Sequence, residues 1–135
     1  MNRLLNQIVF WVCLFSSIGL LYIGCRFFIN PVGAEIDYGI HTNTNQDFSF
    51  HYIKGVRDFF FGLIIIVLLL KKQYQALGFI LLFGAAIPAV DFCVVISHPD
   101  FTTAHTYAHI IAVLICLSCG FYYLKNSKKI QNDTF

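Results

Sequence analysis

Four long apolar stretches, separated by polar segments, dominate the pattern of residues along the chain. A helix needs about 20 residues to cross a hydrocarbon core of about 30 Å. The pattern predicts membrane-spanning helices over 4–28, 50–70, 74–96 and 104–124. We therefore expect an all-α fold, a four-helix transmembrane bundle with up-down-up-down topology, in a single domain over 1–135.

The longest polar segment covers 29–49 and is predicted to be an outer loop. Pro31 and Gly33 mark its start, and the polar run 43–46 favours turns. Its acidic residues are Glu35, Asp37 and Asp47. Loops of this length commonly bind ligands, cover a site or are simply mobile.

Small and kink-forming residues characterise the third predicted helix. Glycines and alanines let a neighbouring helix approach closely. Pro88 cannot donate a backbone hydrogen bond, so a kink is expected about one turn before Asp91.

Composition supports the membrane interpretation. Hydrophobic residues make up 58% of the chain and charged residues 12%, against about 25% charged residues in ordinary soluble domains. The mean hydropathy is +0.71, so a water-soluble fold would lack the polar surface to cover itself. The net charge of +2 and the absence of a long basic run argue against nucleic acid as a partner.

The distribution of lysine and arginine predicts the orientation. With four spans, Arg3, the turn at 71–72 and the lysines after 124 fall on one side, and the acidic loop falls on the other. Because positive residues concentrate in cytoplasmic segments, both termini are expected in the cytoplasm. We expect an integral protein of a bacterial inner (plasma) membrane.

The first apolar stretch also has features of a signal sequence. The segment Tyr22-Ile23-Gly24-Cys25 resembles a lipoprotein cleavage box, but Tyr22 stands where leucine is usual. The residues that follow, 26–28, do not form a flexible mature start. We interpret the stretch as a retained helix.

Seven ionisable residues fall near the outer ends of the predicted helices. They are Arg26 in the first helix, Lys54, Arg57 and Asp58 in the second, Asp91 in the third, and His105 and His109 in the fourth. At 1.5 Å per residue, all should lie within roughly 10 Å of one interface. An ion in hydrocarbon costs several kcal/mol, roughly 3 on insertion scales, so we expect these groups to face the interior and pair.

Two kinds of function follow from such a cluster. In a small-molecule site, Asp91 and His109 would be a catalytic acid–base pair, Arg57 would hold an anionic group, and the ligand would be lipid-like or amphipathic. The remaining ligand-binding residues would be Lys54, Asp58, His105 and Arg26. In a non-catalytic membrane subunit or scaffold, the same charges would be a structural lock.

Other interpretations of these residues stay open. Lys54 and Arg26 could be interfacial anchors whose long side chains reach the headgroups. Proton-coupled transport would require a homo-oligomer, because one four-helix chain is small for a transporter. The residues do not decide between an enzyme and a binding protein.

Metal and thiol chemistry are weakly indicated. His105-x-x-x-His109 has the spacing of a helical metal motif, but Thr106 stands where a metalloprotease motif has glutamate. No metal site and no cofactor is therefore predicted. Cys116-x-x-Cys119 lies in apolar surroundings that disfavour a thiolate, whereas Cys25 and Cys93 lie near the outer ends of their helices and could pair.

Several short motifs carry a family resemblance. They are Pro31, Lys54-Gly55-Val56-Arg57-Asp58, Gly62, Pro88-Ala89-Val90-Asp91, and His105 with His109. With these motifs the chain resembles a family of small four-helix membrane proteins of unknown function, similar in layout to the DoxX-like group. The resemblance implies a four-helix membrane bundle and supplies no activity.

Overall fold

The computed structural model describes residues 3–42, 45–99 and 101–132 of the chain. Within these ranges the fold is all-α, as predicted. The six helices are α1 (Arg3–Ile29), α2 (Pro31–Tyr38), α3 (Ser49–Leu70), α4 (Tyr74–Gly84), α5 (Ala86–Ser97) and α6 (Thr103–Asn132). Of the turn predicted over 43–46, positions 43 and 44 lie outside the described residues.

Three helical segments are long and apolar enough to cross a membrane. They are Arg3–Ile29, Tyr74–Ser97 (α4 with α5) and Thr103–Ile130. Large apolar side chains such as Phe15, Phe83 and Phe121 are exposed on their outer surfaces, as lipid contact requires. Length, composition and exposure together indicate a membrane protein.

The helices pack chiefly as two hairpins, α1 with α3 and α4–α5 with α6. Glycines allow the first pair to approach closely: a Cβ atom on Gly24 would lie 2.7 Å from the backbone nitrogen of Phe59 and 2.8 Å from the carbonyl oxygen of Gly55. A Cβ atom on Gly78 would lie 2.9 Å from the backbone nitrogen of Leu124 in the second pair. Such contacts are typical of helix packing in lipid.

Two apolar clusters hold the ends of the bundle. The larger joins the start of α1, the end of α3, α4 and α6, and includes Tyr74 stacked on Tyr123 with ring centroids 5.5 Å apart. The smaller joins α1, α2 and α5 around Phe27, Tyr38 and Val95. We call the end with the smaller cluster the α2 end.

The prediction of a continuous loop over 29–49 was wrong, because this segment contains α2. The Asn30 side chain caps the helix by accepting a hydrogen bond from the Gly33 backbone N–H at 3.0 Å, and Pro31 occupies the first turn. Gly39, with φ of 98°, ends the helix in the left-handed conformation. Ala34 and Tyr38 bury its apolar side.

Two helix boundaries also differ from the prediction. The third span is broken at Ala85, where α4 ends and α5 begins. Pro88 has no N–H to bond the carbonyl four residues earlier, so the break falls one turn before the proline. The last helix extends to Asn132 rather than stopping at 124, because Ser127 and Ile130 continue its buried face.

Candidate functional site

Four charged side chains form a closed network at the α2 end. The Lys54 ammonium lies 3.0 Å from Asp58 and 3.1 Å from Asp91. The Arg57 guanidinium lies 3.0 Å from Asp58 and 2.8 Å from Asp91. Each cation therefore contacts both carboxylates. Lys54, Asp58 and Asp91 are buried, so the two positive and two negative charges balance inside the bundle.

This four-residue network connects helices that otherwise pack on different partners. Lys54, Arg57 and Asp58 lie within two turns of α3, and spacing of three or four residues places them on adjacent faces. Asp91 comes from α5, which packs mainly on α6. The ion pairs from α3 to Asp91 thus bridge the two hairpins.

Aromatic rings cover the buried ammonium. The Lys54 nitrogen lies 4.3 Å from the ring centroid of Tyr38 and 5.3 Å from that of Phe27. Both distances are within the range of cation–π attraction. The Tyr38 hydroxyl donates a long hydrogen bond, 3.5 Å, to the backbone carbonyl of Asp91. Helix α2 therefore covers one side of the network through Tyr38.

A second buried polar cluster was not predicted from the sequence. His51 Nε2 lies 2.5 Å from Glu35 Oε2, and the Thr42 hydroxyl donates to the same carboxylate at 3.0 Å. The Thr42 backbone N–H donates to the other oxygen. Burial acts to raise the pKa of Glu35, but the hydrogen bonds from Thr42 and His51 together hold this pKa below its ordinary value.

The signal for this cluster lies in the ends of α2. An asparagine before Pro31 and a glycine eight residues after it are a helix start and stop. A helix between them would place Glu35 on the same face as Tyr38. Because the segment is largely polar, it lacks the long apolar run by which the other helices were predicted.

A cavity of about 360 Å³ lies between the two hairpins, beside the network. Its polar lining consists of Arg26, Asp37, Tyr38, Lys54, Asp58, Asp91, His105 and His109. Its apolar lining includes Leu20, Phe61, Ile87, Pro88, Ala112 and Cys116. Tyr22 and Ile23 of α1 border the cavity and are 62% and 42% exposed, so it opens towards the side of the bundle.

Six of the seven predicted site residues line this cavity, and Arg57 does not. Arg57 lies behind the two aspartates, which occupy its Nε and Nη2 atoms. Arg26 takes no part in the buried network, because it pairs with Asp37 of α2 at the partly exposed rim.

The two histidines of α6 occupy different surroundings. The His109 ring packs edge-on against Tyr38, with centroids 5.1 Å apart. His105 Nδ1 lies 3.0 Å from the Thr102 hydroxyl. Neither histidine forms an ion pair within the described part of the chain. Both bring ring nitrogens that can form hydrogen bonds to the cavity.

The network and the cavity fall within a recognised family region. Residues 17–123 match DUF4267, a domain of unknown function. The chain belongs to this family. No curated protein and no solved structure matches it.

The DUF4267 region includes all the residues discussed above except the two ends of the chain. Across 3–42, 45–99 and 101–130, no three histidine, cysteine or acidic side chains converge as a metal site requires. The five cysteines are free thiols, so Cys25 and Cys93 are not paired with each other. The arrangement favours binding through hydrogen bonds and apolar contact.

Proposed function

We propose that this DUF4267 protein crosses the membrane four times and binds a lipid-like, amphipathic small molecule near the outer leaflet. The observation that carries the proposal is the cavity between the hairpins. It has polar groups at one side, apolar walls and an opening bordered by exposed apolar residues. A ligand with a polar head and an apolar tail matches all three features.

The fourth span in this proposal is α3. It has 22 residues and is apolar apart from its first half, where the charges of the network lie. Because each of those charges has a buried partner, the cost of placing them in the membrane is reduced. With α4 and α5 counted as one broken span, the bundle is up-down-up-down.

The proposed orientation places the α2 end outside the cytoplasm. Arg3, Lys71, Lys72 and the lysines of the last turns of α6 then share the cytoplasmic side. Both termini are cytoplasmic, and the membrane is a bacterial inner membrane.

The residues of the cavity have distinct proposed roles. His105 and His109 offer hydrogen bonds to the head of the ligand, and Lys54, Asp58 and Asp91 form the polar wall. We do not propose that Arg57 binds an anionic group of the ligand, because its guanidinium already donates hydrogen bonds to both aspartates.

Binding without chemistry is the function that these contacts favour. Acid–base catalysis by Asp91 and His109 would require Asp91 to exchange its contacts with Lys54 and Arg57 for the substrate. The described residues contain no hydrogen bond between Asp91 and His109 that would couple the two as an acid–base pair.

A second candidate is a membrane subunit or scaffold without a ligand. The closed network favours it, because four mutually paired charges that bridge the hairpins are suited to fixing one arrangement of helices. The presence or absence of a bound amphipathic molecule separates the two candidates.

Mass spectrometry of molecules that remain bound after extensive washing in detergent tests the proposal. Three proteins are compared: the wild type, Ala112→Phe and Ala76→Phe. Ala112 lines the cavity, whereas Ala76 is exposed on α4 and outside it. We expect about one equivalent of an amphipathic molecule in the wild type and Ala76→Phe, and a loss of most of it in Ala112→Phe.

The same small amount in all three proteins would contradict the proposal and favour the scaffold. Circular dichroism and size exclusion show whether Ala112→Phe remains folded. If it does not, Ala112→Leu, which adds less volume, takes its place.

A further inference from the structure

The charges around the cavity balance. Arg26, Lys54 and Arg57 are positive, and each contacts a negative group among Asp37, Asp58 and Asp91. The two histidines at the cavity complete the polar lining without an ion pair. With Arg57, which lies behind the aspartates, three cations and three carboxylates surround the cavity, and each of the six has a partner of opposite charge.

A net charge on the ligand would therefore be left without a partner. Burying an ion is unfavourable unless an opposite charge accompanies it. An anionic head would compete with the carboxylates for Arg26, Lys54 or Arg57, and a cationic head would compete with these cations for the carboxylates. An uncharged head that forms hydrogen bonds meets neither penalty.

The lining offers suitable partners for such a head. The Tyr38 hydroxyl donates to the backbone carbonyl of Asp91 at 3.5 Å, which is near the upper limit for a hydrogen bond. His109 lies against the Tyr38 ring, and His105 is on the same side of α6. A hydroxyl group near these three residues could both donate and accept a hydrogen bond, and a carbonyl group could accept one.

The size of the cavity limits how much of the ligand it holds. A volume of about 360 Å³ corresponds to about twelve water-sized groups. The head and the first part of a chain fit, and the rest of a long tail must leave through the opening beside Tyr22 and Ile23. That opening faces the hydrocarbon in the proposed orientation.

We infer that the cavity selects amphipathic molecules with an uncharged, hydroxyl-type head, such as long-chain alcohols or glycerides, over those with a charged head. This inference rests on the proposed function, because it concerns the ligand class of the same cavity. It excludes ordinary anionic phospholipids and fatty-acid anions as preferred ligands.

Native mass spectrometry with three probes of the same tail tests the inference. The probes are oleyl alcohol, oleyl phosphate and oleyltrimethylammonium, each added separately at equal concentration to the delipidated full-length chain. We expect the occupancy of one-to-one complexes to correspond to an affinity about tenfold or more higher for the alcohol than for either ion. Equal or tighter binding of oleyl phosphate would overturn the inference.

Two rim variants change the charge balance without touching the buried network. Asp37→Asn leaves Arg26 unpaired, and Arg26→Gln leaves Asp37 unpaired. Since the pair is partly exposed, we expect Asp37→Asn to improve oleyl phosphate binding about two- to fivefold, and Arg26→Gln to do so for oleyltrimethylammonium. Asp47→Asn, an exposed change outside the cavity, should alter neither.

The outcomes separate the two proposals. If Ala112→Phe reduces binding of the probes but the wild type does not prefer the alcohol, the cavity binds ligands and only the neutral-head inference fails. If no probe binding depends on Ala112, the proposed function itself fails. If the rim variants leave the preferences unchanged while the alcohol is preferred, charge balance is not the cause and the inference is overturned.

Discussion

At the scale of single residues, the unusual feature is a buried lysine whose charge is fully compensated. Lys54 contacts two carboxylates and two aromatic rings, and its exposed fraction is 4%. Removing one member of a buried ion pair leaves another charge uncompensated, and this costs more than the intact pair contributes. The stability of the α2 end should therefore depend on the balance of charges rather than on any single ion.

Lys54→Met should lower the free energy of unfolding by about 3 kcal/mol, because Asp58 and Asp91 would then share one cation. Lys54→Met combined with Asp58→Leu should recover at least half of this loss, since Arg57 and Asp91 remain paired. Unfolding by sodium dodecyl sulfate in mixed micelles measures both changes.

The control is Lys72→Met, which alters an exposed lysine in the turn between α3 and α4. It should change stability by less than about 0.5 kcal/mol. The single variant Asp58→Leu is measured as well. If the loss of stability in the double variant equals the sum of the losses in Lys54→Met and Asp58→Leu, the charges do not act as a unit.

At the scale of secondary-structure elements, α2 is too short to be stable alone and depends on its contacts. Glu35 joins it to His51 of α3 and to Thr42 beyond its end, while Arg26 of α1 pairs with Asp37. Gly39 packs so closely on α6 that a Cβ atom there would lie 2.6 Å from the Cβ atom of His105. These contacts tie the helix to α1, α3 and α6, in addition to its contacts with α5.

The stabilising effect of Glu35 should depend on pH. Since its folded-state pKa lies below the ordinary value of 4.5, the folded chain binds the proton less tightly than the unfolded chain. The contribution is then fully present above about pH 5 and is lost as the pH falls through the folded-state value. Thermal unfolding of the wild type and Glu35→Gln at several pH values from 7 to 3 measures the difference.

The wild type should be the more stable protein at pH 5 and above. Below pH 4 the two unfolding temperatures should converge, because a protonated Glu35 and a glutamine carry the same charge. A margin that stays constant down to pH 3, or that widens, would contradict this account of the cluster.

The sequence predicted the elements unevenly, for a physical reason. Helices α1 and α6 are signalled by long apolar runs, and transfer into hydrocarbon depends on such local composition. Helix α2 has mixed composition and is signalled only by Asn30, Pro31 and Gly39 at its ends. Its burial depends on α1, α3 and α6, which no local pattern specifies.

At the scale of the whole molecule, the two hairpins meet tightly at the end where α1 begins and α6 ends, through the larger apolar cluster. At the α2 end they are separated by the cavity and bridged by ion pairs to Asp91. The bundle is therefore closely packed at one end and, at the other, held by ion pairs beside a cavity.

Single-cysteine labelling of the full-length chain in intact cells tests this orientation. In a cysteine-free background, Asn45→Cys at the α2 end should react with a membrane-impermeant maleimide before lysis. Lys72→Cys, at the opposite end, should react only after lysis. Both positions are exposed in the structure. The reverse pattern would place the termini outside the cytoplasm and contradict the positive-inside prediction.

The sequence by itself determined that this is an all-α membrane protein and which few residues carry charge within it, because hydrophobic transfer depends on length and composition along the chain. Only the tertiary structure decided the pairing. Asp91 meets Lys54 and Arg57 across 37 and 34 positions of sequence, and Arg57 is turned from the cavity towards the aspartates. The packing of the helices against one another determines these contacts, and the sequence of a single helix does not specify them.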